Sequence, residues 1–266
     1  FVKILFVYFV ACMLYQYTSF QRVSVTTVIS AIHLLILVAS RDLGAALLFF
    51  VTYVVMLYVA TKKVLYFAGG LAAGSAASVV AYHLFSHIRV RVRAWQNPLA
   101  YIDKEGYQIS QSLFAIGTGG WFGMGLYQGM PKDIPVRESD FIFAVIAEEL
   151  GGFFAICLIL VFMSCFIMFI NISLRLTNNF YKLLAIGLSI AYGFQLFLCI
   201  GGVIKFIPHT GVTLPLISYG GSSILSTIIV FAVIQGLYLL KQKEVKEIEE
   251  KRRESEQRQW DDQTRV

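Results

Sequence analysis

The chain has 266 residues, 58% of them hydrophobic and only 14% charged, with a formal net charge of +6. Soluble domains carry about a quarter charged residues, so this composition excludes an ordinary water-soluble fold and makes lipid part of the solvent. Nor does the positive charge point to nucleic acid: from Lys241 onward eight basic residues balance eight acidic ones, and the surplus lies in residues 1–240, as membrane topology and anionic lipid produce.

A helix crosses the hydrocarbon core with about 20 mainly apolar residues. Seven stretches qualify as spans, roughly 1–15, 23–40, 43–61, 64–85, 152–172, 181–204 and 221–240. The predicted fold class is therefore an all-α polytopic membrane protein. The first stretch is apolar from residue 1, apart from Lys3, and no initiator Met precedes it, which predicts further spans upstream. Arg22, Lys62, Lys63, Arg175 and Lys182 fall in alternate loops, with no acid beside them, on the side of the charged tail. The positive-inside rule makes that side cytoplasmic. The Arg41–Asp42 turn, the 86–151 segment and the 205–220 loop then face the exterior. Cys12, Cys157, Cys165 and Cys199 sit in apolar runs without metal-ligand spacing and read as small membrane-embedded hydrophobes.

The 86–151 segment is too long for a passive connection. Arg89, Arg91 and Arg93 alternate with valines there, as in an extended segment. Guanidinium groups suit a lipid phosphate, and they equally snorkel onto headgroups. Gln108 to Ile116 is too short and polar to span and predicts a short helix at the interface. The glycine run from Gly117 to Gly125 lets backbone approach a ligand or a neighbouring helix, but lacks the Lys and Ser/Thr of a phosphate loop. Asp140 directly precedes the apolar FIFAVIA, and Glu148 and Glu149 follow two turns later. Ionisable groups at membrane depth are costly and mark functional candidates. Asp140 reads either as a general base or as a charge favoured at a helix N-terminus. His83 and His87 have the i,i+4 spacing of metal ligands, with no third ligand in sight. In PHTGVTLPLISYGGSS, Pro208 and Pro215 break helix, and Ser222 or Ser223 can cap the next one. That stretch reads as a re-entrant loop whose helix start suits an anion.

Together FVKILFVYFVACML, SRDLGAALLFFVTYVVMLYVAT, the block from RVRVRAWQNP to GYQISQSLFAIGTGGWFGMGL, SDFIFAVIAEELGG and PHTGVTLPLISYGGSS resemble the FtsW/RodA/SpoVE family of shape, elongation, division and sporulation proteins. The likeness covers nearly all of residues 1–240. It implies a ten-helix membrane fold with a large extracellular loop, of which this chain would hold about seven helices. It divides the chain into a transmembrane glycosyltransferase domain, 1–240, and a charged cytoplasmic tail, 241–266. The implied activity is polymerisation of lipid II into glycan strands at the outer membrane face, beside a class B penicillin-binding protein. The resemblance puts the catalytic residue at Asp140 and the extracellular-loop arginine at Arg91. It places the Gly-Tyr-Gln element at Gly106, Tyr107 and Gln108. Lys3, Glu148, Ser218 and Ser222 lie in the matching pieces and complete the substrate-binding candidates. The developing diphosphate needs positive charge, from Arg91 or from a divalent cation such as Mg or Mn. Two other activities fit such a chain, a lipid II flippase and a non-catalytic scaffold for the penicillin-binding protein. A flippase needs a polar path across the whole membrane, whereas the ionisable residues here cluster toward the outer side.

Overall fold

The computed structural model describes the backbone of residues 1–16, 19–130 and 134–264, and the side chains in those stretches except Lys251 and 254–264. In chain order the helices are α1 (Val2–Leu14), α2 (Phe20–Ala39), α3 (Leu43–Thr61), α4 (Val64–Leu84), α5 (Ser86–Gln96), α6 (Tyr107–Gly119), α7 (Ile142–Arg175), α8 (Asn179–Val203) and α9 (Gly221–Thr264). A 3-10 turn, Leu99–Tyr101, joins α5 to α6. No strand occurs among the described residues. In lipid each backbone polar group must find its partner inside the protein, and a helix supplies it within the segment.

Among the described residues six helices, α2, α3, α4, α7, α8 and α9, are long and apolar enough to cross a membrane. The sequence predicts a seventh, over 1–15. That stretch forms α1, which is apolar but has 13 residues. A helix of that length rises about 20 Å, against a hydrocarbon core of about 30 Å. α8 is the centre of the bundle, buried along most of its length against α1, α3, α7 and α9. Leu188, Leu196, Leu198 and Val203 of α8 join Val7 and Val10 of α1, Met56 of α3, and Phe162 and Phe169 of α7 in one core. Between apolar helices in lipid, such close packing rather than expulsion of water holds the bundle together. α4 lies at the edge and has no buried residue. All four cysteines are free thiols.

α7 is two helical segments that meet in a kink at Gly151, whose φ 84°, ψ 170° is not helical. The second begins at Gly152, where the apolar run 152–172 predicts a span, and the first, from Ile142, carries the apolar run that follows Asp140. The glycine run after α6 clasps this kink by its backbone. Met124 N donates to Glu148 O at 2.9 Å and Gly125 N to Glu149 O at 3.0 Å. In return Gly152 N donates to Gly120 O at 2.8 Å and Phe153 N to Trp121 O at 3.2 Å. The run thus serves a neighbouring helix, one of the two uses its composition allows. A Cβ on Gly151 would stand 2.4 Å from Gly123 N and 2.5 Å from Trp121 O, both rigid backbone. Gly151→Ala is therefore expected to cost at least the roughly 1–3 kcal/mol of a forced backbone conformation. Gly117→Ala should be neutral, since nothing lies within 4 Å of the added carbon. Thermal unfolding of the two variants in detergent tests this, and equal midpoints would refute it.

The alternating arginines form helix α5, not an extended segment. A break at Phe85, φ −105°, ψ 115°, separates α5 from α4. It also puts His83 and His87 on different helices, so their i,i+4 pairing does not form. Burial, reinforced by the nearby Arg41 and Arg91 charges, holds the His87 imidazole below its ordinary pKa range. At the opposite end α9 runs unbroken from its apolar part into the charged tail. There Thr177 Oγ1 donates to Glu244 Oε2 at 3.5 Å, and Lys241 pairs with Glu244 at 3.7 Å.

Candidate active site

Asp140 stands at the turn that leads into α7. The backbone before it is stitched to the loop between α8 and α9. Tyr219 N donates to Glu138 O at 2.7 Å. The Ser218 hydroxyl donates to Ser139 O at 2.5 Å and accepts from Leu214 N at 2.7 Å. On the far side of Asp140, the buried Phe141 ring stacks on His209 with centroids 4.3 Å apart. Pro208 and Pro215 keep this loop from becoming helix, which leaves its backbone free for these bonds.

α5 and α6 close the site. Arg91 Nη1 donates to Thr210 O at 3.2 Å, and Trp95 Nε1 to Lys205 O at 3.1 Å. Ser112 Oγ fixes α6 to the end of α8 by donating to Val203 O at 3.0 Å. The result is a cleft of about 230 Å³ lined by Arg91, Glu105, Gln108, Asp140, His209 and Gly211. His209 Nε2 lies 3.9 Å from Asp140 Oδ2. The helix also explains why one arginine of three reaches the cleft. At 3.6 residues per turn, Arg91 points about 160° away from Arg89 and about 160° from Arg93. Arg91 is half-buried at the loop, whereas Arg89 and Arg93 are exposed.

Of the sequence-predicted residues, Asp140, Arg91 and Gln108 share this cleft. Lys3 does not line it but reaches the same loop from the bundle side. Its ammonium donates to Gln195 Oε1 at 2.7 Å, and Gln195 Nε2 donates to Thr213 O at 2.9 Å. Glu148 is buried and lines a separate cavity of about 280 Å³ with Gln111, Phe114 and Met130. Its Oε1 accepts from Met130 N at 3.1 Å. Ser218 is buried as the staple just described. Ser222 is exposed on the first turn of α9, while its neighbour Ser223 pairs its hydroxyl with that of Thr213 at 2.8 Å. His209 and Glu105 are members of the cleft that the sequence reading passes over. The signal for His209 was present, an imidazole in a stretch, 206–223, without any charged residue.

Two carboxylates, one guanidinium, an amide and an imidazole thus meet where the apolar bundle ends. This set can accept a proton and hold an anion side by side. Among the described residues no three His, Cys, Asp or Glu side chains gather as a metal cage. A divalent cation fits only if substrate phosphates and water supply most of its ligands, as Mg commonly requires.

Residues 1–242 match the FtsW/RodA/SpoVE model, described as cell cycle protein. The chain is similar to peptidoglycan glycosyltransferase RodA of Mycobacterium tuberculosis, 41% identical over 199 residues, which cover 75% of this chain and 42% of that protein. It is 36% identical over 225 residues to stage V sporulation protein E of Bacillus subtilis, covering 81% and 59%. It is 38% identical over 200 residues to a probable peptidoglycan glycosyltransferase FtsW of Aliivibrio salmonicida, covering 71% and 48%. The chain therefore spans about half the length of these curated relatives. Its fold matches a chain from a solved peptidoglycan synthase complex that coordinates polymerization and crosslinking, with a TM-score of 0.71 at 22% identity, over 87% of this chain and 66% of that one.

Proposed function

Because this chain belongs to the FtsW/RodA/SpoVE family and is a multi-pass membrane protein, we propose that it is the polymerising part of a peptidoglycan glycosyltransferase that joins lipid II into glycan strands. The observation that carries this reading is the convergence of Arg91, Gln108 and Asp140 on one cleft at the end of the apolar bundle. A polyprenyl-diphosphate sugar has two unlike halves, and this architecture offers each its solvent. The helices face lipid, where the polyprenyl tail lies, and the polar cleft takes the sugar and diphosphate. The acceptor hydroxyl oxygen attacks the anomeric carbon of the donor while Asp140 takes its proton. The bond from that carbon to the diphosphate breaks with inversion, and the leaving charge is drawn to Arg91. Gln108 supplies an amide to orient a sugar hydroxyl or acetamido group. Glu105 would help hold a divalent cation, Mg or Mn, which would supply further positive charge against the leaving diphosphate. The partner we assign is a class B penicillin-binding protein, a pairing supported by the fold shared with a chain of a peptidoglycan synthase complex. The test is glycan formation from purified lipid II by the full-length protein with this partner. Absence of product from an intact, folded pair would refute the reading.

We place the protein in the cytoplasmic membrane with the Asp140 cleft outward. The Arg41–Asp42 turn, α5, α6 and the 205–220 loop gather at the cleft end, whereas Lys62, Lys63, Arg175 and Lys182 belong to the turns at the other. In a background lacking the native cysteines, a cysteine at Lys205 should react with an impermeant maleimide on intact cells. One at Lys63 should react only after lysis. Labelling at 63 from outside would invert the topology.

A further inference from the structure

We propose that His209 is a positioning residue for Asp140, a neutral imidazole whose Nε2–H holds one carboxylate oxygen so that the other faces the acceptor hydroxyl. The inference rests on the glycosyltransferase reading and adds to it a residue that reading did not need. Three observations carry it. Nε2 lies 3.9 Å from Asp140 Oδ2, inside the same cleft. The ring is fixed in plane by its stack on Phe141, the residue that follows Asp140. Nδ1 is buried with no hydrogen-bond partner.

The third observation decides between two roles. Nδ1 is without a partner in either tautomer, so Nε2 decides: a lone pair there would face the carboxylate oxygen, whereas a proton there is attracted to it, and the favoured tautomer carries its proton on Nε2. With no acceptor at Nδ1, a proton taken from Asp140 would have no onward path through the ring. His209 is thus a donor to Asp140 and not a relay from it. The backbone of α8 seals that side. A Cβ on Gly202 would come within 3.0 Å of Nδ1, so the glycine is what lets the helix close over the ring. The present 3.9 Å is longer than a hydrogen bond, and catalytic contacts of this kind shorten, or take one water, when substrate closes the site. The other titratable groups around Asp140 are Arg91 on α5, Glu105 ahead of α6, and Cys199 on α8, whose thiol lies 3.9 Å from the Asp140 carbonyl. None of them faces Nδ1 as an acceptor, since that atom has no partner.

Two measurements test the proposal. The first is kcat and KM for lipid II polymerisation by full-length protein carrying His209→Phe or His209→Gln. Phe keeps the stack on Phe141 and removes the donor, whereas Gln keeps a donor. His209→Phe should lower kcat on the order of tenfold, the worth of one hydrogen bond to a charged group, with KM little changed. Gln should recover most of the rate. Equal defects in Phe and Gln, or a loss that falls on KM and not on kcat, would overturn the proposal. The second measurement does not depend on activity. In 15N-histidine-labelled protein, the resonances lost in His209→Gln should be those of an Nε2-protonated neutral ring at pH 7.5. An Nδ1-protonated or charged ring would refute the positioning role even if polymerisation itself were never observed. Failure of the parental protein to polymerise lipid II would instead refute the glycosyltransferase reading.

Discussion

Asp140→Asn is expected to abolish measurable glycan polymerisation while the protein still folds and still binds the proposed transpeptidase partner. The substitution keeps the size of the side chain and removes its basic oxygen. General-base assistance is worth about 10²–10⁴-fold in rate, more than modest misfolding would subtract. The structure shows why folding should survive. The turn is held by the backbone oxygens of Glu138 and Ser139 and by the buried Phe141 ring, not by the Asp140 carboxylate. Asp140→Glu should retain little activity, because one added methylene moves the base within a cleft of only about 230 Å³. Glu138→Gln is the control for lost negative charge. That side chain is exposed and, among the described residues, pairs with its neighbour Arg137 at 4.0 Å, so the variant should polymerise normally. The experiment pairs product analysis from lipid II with a pull-down of the partner. Near-normal polymerisation by Asp140→Asn would remove this residue from the mechanism.

Arg91→Ala should lower kcat/KM on the order of 10²-fold, the usual consequence of deleting one preorganised group that meets developing charge. Arg91→Lys should fall between Ala and the parent, since an ammonium keeps the charge but not the planar fork. The arginine also ties α5 to the loop through Thr210 O, so Ala loosens the wall of the cleft as well. Arg89→Ala and Arg93→Ala act as controls, because both side chains leave α5 on the face away from the cleft. Their expected loss is under threefold, the scale of an exposed charge worth about 0–1 kcal/mol. Identical rates for all three alanine variants would refute the anion-binding role of Arg91.

The spans were legible because lipid demands long apolar runs and little else in this sequence supplies them. What failed was the reading of segments where polar residues interrupt that signal. Arg89, Arg91 and Arg93 alternate with valines, which imitates the period of a strand. Their helical state shows instead in the selection of Arg91 alone for the cleft. The segment 142–150 ahead of the kink was not counted with the span, because Glu148, Glu149, Gly151 and Gly152 end the hydrophobic pattern there and the backbone itself breaks at Gly151. Asp140, Arg91 and Gln108 were each visible as chemistry, but nothing in their spacing said that they share one cleft. That depends on the loop 208–220 docking onto residues 138–141, a long-range event recorded only in the fold. Lys3 was visible too, while its partner Gln195 was not, for the same reason. Glu148 illustrates the converse. Membrane depth marked it as functional, and the structure seats it in a second cavity, where it holds the 124–130 segment through Met130 N.

The clasp around Gly151 is made of main-chain atoms on both sides, and this separates the fates of neighbouring positions under genetic drift. Trp121 and Phe122 are 63% and 87% exposed, and the bonds around the kink pass through backbone that any side chain can carry. Those aromatics are free to diverge with the lipid or partner they meet. Gly119, Gly123 and Gly151 are not, because a single methyl group on any of them would fall on main chain of the opposing segment. A saturation library of residues 119–152 should therefore show near-complete tolerance at the showiest side chains and near-complete intolerance at these three positions with no side chain at all.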